Sequence, residues 1–417
     1  MLIKKPCFPF IIFLLSSPLW ATQAKPPLND TSIAKELSAS PNDINQLLSL
    51  LKQEKYSLIK RTVATPFFDQ FQADVKKLKD KYGIDFGINY IPLLEYSEAG
   101  RPKDNASGAN FEFFGRYMPQ SWQRTKTIFA IKLDDNHEYS SIAPGNFSGQ
   151  LNSTIKTTSG YVPYNLAVTE LWIQQSIIPD VVAYRLGKID LTSMMNSYAF
   201  DSRRFFFLSD VFSRHPATAV PAKSLGAVVG FALSKHLYSA VGIVNAEGTE
   251  ITSGFSTVFK GHYFTSVELG YRDVITNPQS DNYHVFLWHV DSRPEQAKPG
   301  GQGISVVLQK NIQNRLIPFI KLDWSTGEAA AFNKLFITGV GLEHPFHGYF
   351  GLLGVAGGYA ELAEQKGTNQ WIVETFYRLQ LTPHSQLTPD VELIKPVSAK
   401  GFHRIATVFN LRYNVSI

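Results

Sequence analysis

From Ile84 to the end of the chain, apolar and polar side chains alternate with a period of two. In residues 407–417, one set of side chains is Thr, Phe, Leu, Tyr, Val and Ile, and the other is Val, Asn, Arg, Asn and Ser. Successive side chains of a β-strand point to opposite faces, so each such stretch predicts a strand with one apolar and one polar face. About sixteen stretches have this pattern, near 84–90, 110–114, 129–133, 166–174, 181–189, 226–233, 237–245, 263–272, 282–290, 302–310, 316–324, 333–342, 350–359, 371–380, 387–395 and 407–417.

The connections between these predicted strands alternate in length. Short turns are predicted at 234–236, 311–315 and 383–386, whereas long polar stretches cover 134–165 and 192–224. Most strands come near the 9–11 residues that a tilted strand needs to cross a bilayer. Short turns at one end and long loops at the other are typical of outer-membrane β-barrels.

Helical periodicity is confined to the region before Ile84. Ile44, Leu47, Leu48 and Leu51 recur at helical spacing, and a second helical pattern covers about 67–82 and ends at Gly83. We therefore expect a short helical segment before the strands, serving as a plug or as a packing element.

The N-terminus has the order of a secretory signal peptide. Lys4 and Lys5 precede an apolar run that is too short to span a bilayer, and small residues follow up to Ala24. Cleavage would remove Cys7, the only cysteine, so no disulfide is expected. The predicted organisation is a signal peptide at 1–24, a helical and flexible segment at 25–83, and a β-domain at 84–417.

Charged side chains fall on one face of the predicted strands, as for Glu268 with Arg272 and for Glu374 with Arg378. A charge at the membrane midplane costs about 2–4 kcal/mol on a lipid-facing surface, so these residues would face a wet lumen. A soluble β-sandwich would reverse this geometry, and alternation alone does not separate the two folds. The signal peptide, the flanking aromatic residues and the number of strands favour an all-β transmembrane antiparallel barrel.

Three stretches carry a family resemblance. They are ELWIQQSIIPDVVAYRLGKIDLTSMMNSYAFDS at 170–202, HPATAVPAKSLGAVVGF at 215–231 and ETFYRLQLTPHSQLTPDVELIKP at 374–396. In this order they resemble the carbohydrate-selective porin family, often called OprB-type, although that family often has Gln where Glu392 stands. The resemblance implies a passive outer-membrane channel for small sugars that needs no cofactor, metal or covalent step.

Eight charged residues are the predicted pore-lining or substrate-binding set. With equal weight, they could form salt bridges that keep the barrel wall rigid. Asp190 is expected to cap a turn, and Trp172 is interpreted as an interfacial anchor more than as a ring for stacking sugar. The set is Arg185, Glu268, Arg272, Glu374, Arg378, Asp390, Glu392 and Arg412.

The sequence has no recognised catalytic, phosphate-binding or metal-binding motif, so no catalytic residue, metal or cofactor is predicted. The alternative function is a secreted or membrane-embedded β-rich hydrolase, for which Asp390 and Glu392 would be the carboxylate pair. A third alternative is a structural or adhesive barrel. The net charge of +5, with one lysine-rich stretch at 76–81 that has the spacing of a solvated helix face, gives no reason to expect nucleic acid. The predicted partners are mono- or small oligosaccharides, outer-membrane lipid and the barrel-assembly machinery, and homo-oligomer formation stays open.

Overall fold

A computed structural model of the protein describes residues 40–52, 57–274, 277–344, 351–365, 367–397 and 405–417. Within these ranges, sixteen strands form a single sheet. They are β1 (Ile84–Tyr96), β2 (Asn105–Tyr117), β3 (Ile128–Glu138), β4 (Tyr164–Ile178), β5 (Val182–Ile189), β6 (Ser224–Ala232), β7 (Leu237–Asn245), β8 (Tyr263–Arg272), β9 (Asn282–Val290), β10 (Gly301–Gln309), β11 (Leu316–Thr326), β12 (Phe332–Glu343), β13 (Gly351–Leu362), β14 (Asn369–Thr382), β15 (Ser385–Ile394) and β16 (Ala406–Ser416).

The sheet is a closed barrel in which every strand is antiparallel to its two neighbours. β1 and β16 close it, with Asn89 opposite Ser416 and Tyr96 opposite Phe409. Closure pairs both edges of the terminal strands, which removes the open edges that a lipid environment would not tolerate. The predicted all-β barrel of about sixteen strands is confirmed.

The two faces of the barrel wall differ as the alternation predicts. On β16, Phe409 and Leu411 are 54% and 41% exposed on the outside, whereas Arg412 between Leu411 and Tyr413 is 1% exposed on the inside. The outward side chains of β16 from Phe409 to Val415 are uncharged, which fits a hydrocarbon environment. No helix within the described residues is long and apolar enough to cross a membrane.

Helix α1 (Ile44–Lys52) packs its apolar face into the barrel interior, where Ile44, Leu47 and Leu48 are fully buried. Helix α2 (Thr65–Tyr82) is mostly exposed and packs on the outer face of β1, with the rings of Phe71 and Phe86 5.7 Å apart. Gly83 ends α2 in the left-handed region at φ 75°. Both predicted helices are confirmed, and the predicted signal peptide at 1–24 lies outside the described residues.

The connection between β5 and β6, residues 190–223, folds into the barrel interior, and we call it the lumen loop. The β3–β4 connection, which contains the short helix α3 (Phe147–Gln150), lies against it. The lumen loop contains the short helix α4 (Asp210–Ser213), and most of its residues are buried. The two connections are joined by Ser209 and Asp210, which bond the backbone of Lys156. The lumen loop therefore occupies part of the barrel interior, which is not an open cylinder.

Candidate functional site

The two ends of the lumen loop are tied together. Asp190 caps the first turn by accepting hydrogen bonds from the backbone N–H and the hydroxyl of Thr192, at 3.1 and 2.6 Å. Its other oxygen pairs with the ammonium of Lys223 at the far end of the loop. Burial would raise the pKa of Asp190, but the positive charges of Lys223 and Arg214 outweigh it and hold that pKa well below its usual range. The predicted capping role of Asp190 is what the structure shows.

An aromatic cluster holds the middle of the lumen loop against the wall. The ring of Phe207 meets the ring of Phe376 edge-on at 4.8 Å, and Phe200 lies 5.3 Å from Phe319. Tyr198 also packs on Phe319, at 5.0 Å. These rings are all buried, so the lumen loop has a hydrophobic core of its own with β11 and β14.

A buried ion-pair network fixes one side of the lumen loop. The Arg204 guanidinium donates two hydrogen bonds to the carboxylate of Glu112 on β2. Lys132 on β3 bridges Glu112 and Asp134, at 3.1 Å from each. Two cations and two carboxylates therefore balance one another where water is excluded.

Three predicted site residues, on β14 and β16, bind the backbone of the lumen loop. Both oxygens of Glu374 accept backbone N–H groups, from Leu208 at 2.6 Å and from Ser209 at 3.1 Å. On β14, Arg378 donates to the carbonyl of Phe205 at 3.1 Å. On β16, Arg412 donates to the carbonyl of Arg203. These side chains hold the lumen loop in place by satisfying its buried backbone groups.

Glu268 on β8 also binds the backbone of the lumen loop, from another part of the barrel wall. It accepts the backbone N–H of Asn196 and, at 2.7 Å, the hydroxyl of Tyr238. Arg272, four residues along β8, places its guanidinium 5.3 Å from the centre of the Tyr238 ring. Lys321 on β11 donates to the carbonyl of Arg214 at 2.5 Å, just after helix α4.

Arg185 lies away from the lumen loop and binds the segment that begins helix α1. Its guanidinium pairs with Asp43 at 2.7 Å and lies 3.8 Å from the centre of the Trp172 ring. Trp172 is 3% exposed, faces the interior and donates to Glu170 at 3.2 Å. The interpretation of Trp172 as an interfacial anchor was therefore wrong, because the pleat of β4 turns it inward beneath Arg185.

Asp390 and Glu392 share the inner face of β15, as predicted. The side-chain amide of Asn410 on β16 donates to both, at 2.7 Å to Asp390 and 3.0 Å to Glu392. Glu374 stands opposite Glu392 in the β14–β15 register. Three of the predicted carboxylates therefore lie side by side on one wall.

All eight predicted residues lie on the inner face of the barrel, but seven of them are buried. Only Arg378 is partly exposed, and it borders a cavity of about 160 Å³. The Arg378 guanidinium lies 5.2 Å from the centre of the Phe206 ring. Contact of the eight residues with a solute stays a prediction. The side chains around the cavity are mixed aromatic and polar, including Asn89, Phe205, Phe206, Gln380 and Gln386.

Two lumen-loop carboxyls have raised pKa values. Burial raises the pKa of Asp201 to about 7, against the opposing effect of Lys321 on β11. Burial also raises the pKa of Asp210 to about 6, with Lys156 and its backbone N–H acting in the opposite direction. These two groups therefore change charge between mildly acidic and neutral pH.

A serine on β10, an aspartate on β11 and a histidine of the lumen loop lie together without forming a hydrolase triad. Ser305 donates to Asp323 at 2.5 Å, and His215 lies 3.4 Å from the same carboxylate. A nucleophilic serine has to bond the histidine, whereas here it bonds the aspartate. All three side chains are also buried.

Sequence reasoning missed the residues that the fold brings to the site from the lumen loop and from β1–β3. They include Glu95, Glu112, Lys132, Arg203 and Arg204. One signal was visible: residues 203–208 read RRFFFL in a stretch predicted as a polar loop. Three consecutive phenylalanines are unusual in a solvated loop and indicate a segment that packs against something.

The closed barrel, its two-faced wall and the inward lumen loop define a porin-type fold. Pseudomonas putida OprB, in its high-pH structure, matches with a TM-score of 0.66 at 13% identity over 84% of this chain and 97% of that one. The predicted resemblance to OprB-type porins is thereby confirmed at the level of the fold. No family model matches the chain.

Two curated proteins, both named Porin AaxA, are 21% identical to the chain. The match with the Chlamydia pneumoniae protein covers 65% of this chain and 63% of that protein. The match with the Chlamydia felis protein covers 60% of this chain and 57% of that protein. The chain thus spans less than two thirds of the length of either relative.

Proposed function

We propose that this protein is an outer-membrane porin that admits small polar solutes, with a preference for mono- or small oligosaccharides, into the periplasm. The observation that carries the proposal is the lumen loop folded inside a closed barrel with an apolar exterior. Such a loop narrows the interior to a region lined by particular side chains, which is how a pore selects solutes. The OprB-type fold and the relatives named porins support it.

The cavity beside Arg378 supplies the chemistry that a sugar needs. A sugar replaces its hydration water with hydrogen-bond partners, and here Arg378, Gln380 and Gln386 would provide them. The Phe206 ring is buried against the Arg378 guanidinium, so it would hold Arg378 in place rather than stack on the sugar. Binding by a few such groups stays weak enough to release the solute. Of the eight predicted residues, we therefore propose Arg378 as the one that contacts solute in this arrangement.

The other seven predicted residues are proposed to act through the packing of the barrel interior. Glu374, Arg412 and Glu268 hold the backbone of the lumen loop, so a solute would reach them only if the loop moved. The proposed partners are the sugars, outer-membrane lipid around the apolar wall and the barrel-assembly machinery. Assembly into a homo-oligomer stays a prediction, as do the signal peptide at 1–24 and export to the outer membrane.

The hydrolase alternative gains no specific observation from the described residues. The Asp390–Glu392 pair is buried beneath the lumen loop, where a polysaccharide has no access. In the group of Ser305, Asp323 and His215, the serine bonds the aspartate and not the histidine, unlike the serine of a catalytic triad. A passive channel accounts for the arrangement without a reaction.

The test is conductance of the purified protein in planar bilayers with and without sugars. We expect discrete steps that glucose or a disaccharide partly blocks. Arg378→Gln should weaken the block by about two- to tenfold, the effect of losing one hydrogen bond of about 0.5–1.5 kcal/mol. The matched control is Arg315→Gln, an exposed arginine outside the cavity, which should leave the block unchanged. Protein that inserts without conducting, or conducts without any block by sugar, would contradict the proposal.

A further inference from the structure

Four adjacent strands, β14, β15, β16 and β1, bring acidic side chains to one patch of the inner wall. In the register of the sheet, Glu374 on β14 faces Glu392 on β15, and Asp390 on β15 faces Asn410 on β16. Asn410 in turn faces Glu95 on β1. The patch therefore holds four carboxyl groups, from Glu95, Glu374, Asp390 and Glu392, and we call it the acidic patch.

The acidic patch is sealed from water and lacks a matching positive charge. Each of its four side chains is 2% exposed or less. Within the described residues, no lysine or arginine nitrogen lies within 4.0 Å of any of their oxygens. Arg412 is close enough to interact electrostatically with Asp390 and Glu374, but its hydrogen bond goes to the carbonyl of Arg203. Burying several carboxylates without compensation is costly, so they are neutralised either by protons or by a bound cation, and calcium binding at alkaline pH separates the two.

Hydrogen bonding leaves particular oxygens of the acidic patch free. Asn410 satisfies Oδ1 of Asp390 and Oε1 of Glu392. Oδ2 of Asp390 and Oε2 of Glu392 are fully buried and have no hydrogen-bond partner among the described residues. Each Glu374 oxygen accepts one backbone N–H and keeps a second lone pair. Carboxylate oxygens with free lone pairs are ligands for a metal cation.

The spacing suits one metal ion. One oxygen from each of Glu374, Asp390 and Glu392 lies within 4.8 Å of the other two. Oxygens that bind calcium at about 2.3–2.6 Å are at most about 4.6–5.2 Å apart, which this limit allows, and magnesium gives up its water less readily than calcium to enter an all-protein site. The donors are all carboxylate oxygens, which select a hard cation over zinc or copper.

We propose that Glu374, Asp390 and Glu392 bind a calcium ion, with the nearby Glu95 carboxylate adding negative charge to the site. The ion would also fix Glu374, which holds the backbone N–H groups of Leu208 and Ser209. Calcium therefore ties the lumen loop to the barrel wall. The proposal goes beyond the porin function, since it does not depend on which solute passes or on whether the protein conducts.

The first experiment measures calcium binding to the full folded chain in detergent after treatment with EDTA. Titration calorimetry with calcium chloride at about pH 8 should show one saturable site per chain, with a Kd on the order of 0.1–1 mM, as in other extracellular carboxylate sites. Magnesium chloride at the same concentrations should bind more weakly. The thermal unfolding midpoint should rise with calcium, because an ion that binds only the folded state stabilises it.

The variants Glu392→Gln and Asp390→Asn keep the side-chain shapes and remove ligand charge, so both should lose saturable calcium binding and the thermal shift. The matched control is Glu247→Gln, a buried carboxyl in the β7–β8 connection, which should keep both. If Glu392→Gln did not fold, equilibrium dialysis of the wild-type protein against about 5 mM calcium chloride would decide, with one bound calcium per chain expected at this excess over the Kd. No saturable binding to the wild-type protein, or binding that persists in both acidic-patch variants, would overturn the proposal.

Discussion

The carboxylate of Glu112, on the barrel wall, accepts hydrogen bonds from two nitrogens of the Arg204 guanidinium, in the lumen loop. Both side chains are buried, and the pair joins two parts of the chain that are 92 residues apart in sequence. A bidentate pair of this kind fixes orientation as well as distance. The position of the lumen loop, and hence the width of the interior, depends on it.

Replacing Arg204 with methionine should release this side of the lumen loop. The change leaves Glu112 buried with Lys132 as its remaining ion partner among the described residues, and breaking a buried pair from one side costs about 3–5 kcal/mol. We expect a lower thermal unfolding midpoint and a larger, noisier single-channel conductance. Removing the second charge as well, in Glu112→Gln with Arg204→Met, should recover part of the stability.

Lys126→Met is the control for that variant. Lys126 and Asp180 form an ion pair at the surface, at 2.7 Å, and such exposed pairs contribute less than about 1 kcal/mol. If Arg204→Met behaved like Lys126→Met in both measurements, the Glu112 pair would have no part in holding the lumen loop.

Gly341→Ala should push the lumen loop away from β12. A Cβ at this position would lie 2.2 Å from the ring of Phe200, which sits in the space that the missing side chain leaves. Overpacking of a buried contact costs about 1–3 kcal/mol. The expected result is a higher conductance with a barrel that still resists unfolding. Gly357→Ala on β13 is the control, since its nearest atom would be 3.9 Å away; equal conductance of the two variants would contradict the prediction.

The lumen loop should be held more firmly in acid than at neutral pH. Asp201 has a pKa of about 7 in the folded loop, against about 3.9 when exposed to water. The docked loop therefore keeps a proton that the undocked loop releases, and its stability falls as the pH rises from about 4 to about 7. The pKa of about 7 already includes Lys321 and Arg214, which favour the charged form, and Asp190, which disfavours it. The rise of the pKa from about 3.9 to about 7 corresponds to an effect of at most about 4 kcal/mol.

The measurement is conductance as a function of pH, with Asp201→Asn as the comparison. Wild-type conductance should rise between about pH 4 and pH 7, and the variant should show a flatter profile because its side chain cannot ionise. Asp210, with a pKa raised to about 6, would account for the dependence that remains. Identical profiles for the two proteins would show that Asp201 does not control docking.

Arg185→Met should loosen helix α1 and thereby disturb the cavity that this helix lines. The change leaves Asp43 buried without its ion partner, so the helix loses its charged link to β5. Proteolysis within residues 40–52, followed by mass spectrometry, should become several-fold faster, in line with a higher population of the open form. Because Leu47 and Leu50 of this helix line the cavity beside Arg378, the block of conductance by sugar should weaken as well. Proteolysis as slow as in the wild-type protein would contradict the prediction.

The sequence by itself determined the wall of the barrel. Alternation with a period of two assigns each side chain to a face, so the pattern alone places Arg412 inside and Phe409 outside. Each of the sixteen predicted stretches overlaps one described strand, although the first three cover only part of theirs, and the two helices before Ile84 are where the periodicity predicted them. These features are local, because a pleated strand or a helix fixes the direction of each side chain from its position in the chain.

Only the tertiary structure decided what fills the interior. The pairing of Arg204 with Glu112 and of Glu374 with the backbone of Leu208 joins residues 92 and 166 positions apart, and no local pattern encodes such contacts. The same applies to the acidic patch, whose members come from β1, β14 and β15 and meet only when the barrel closes. Alternation gives the face of a side chain, whereas closure and the path of the lumen loop decide its neighbours and whether water reaches it.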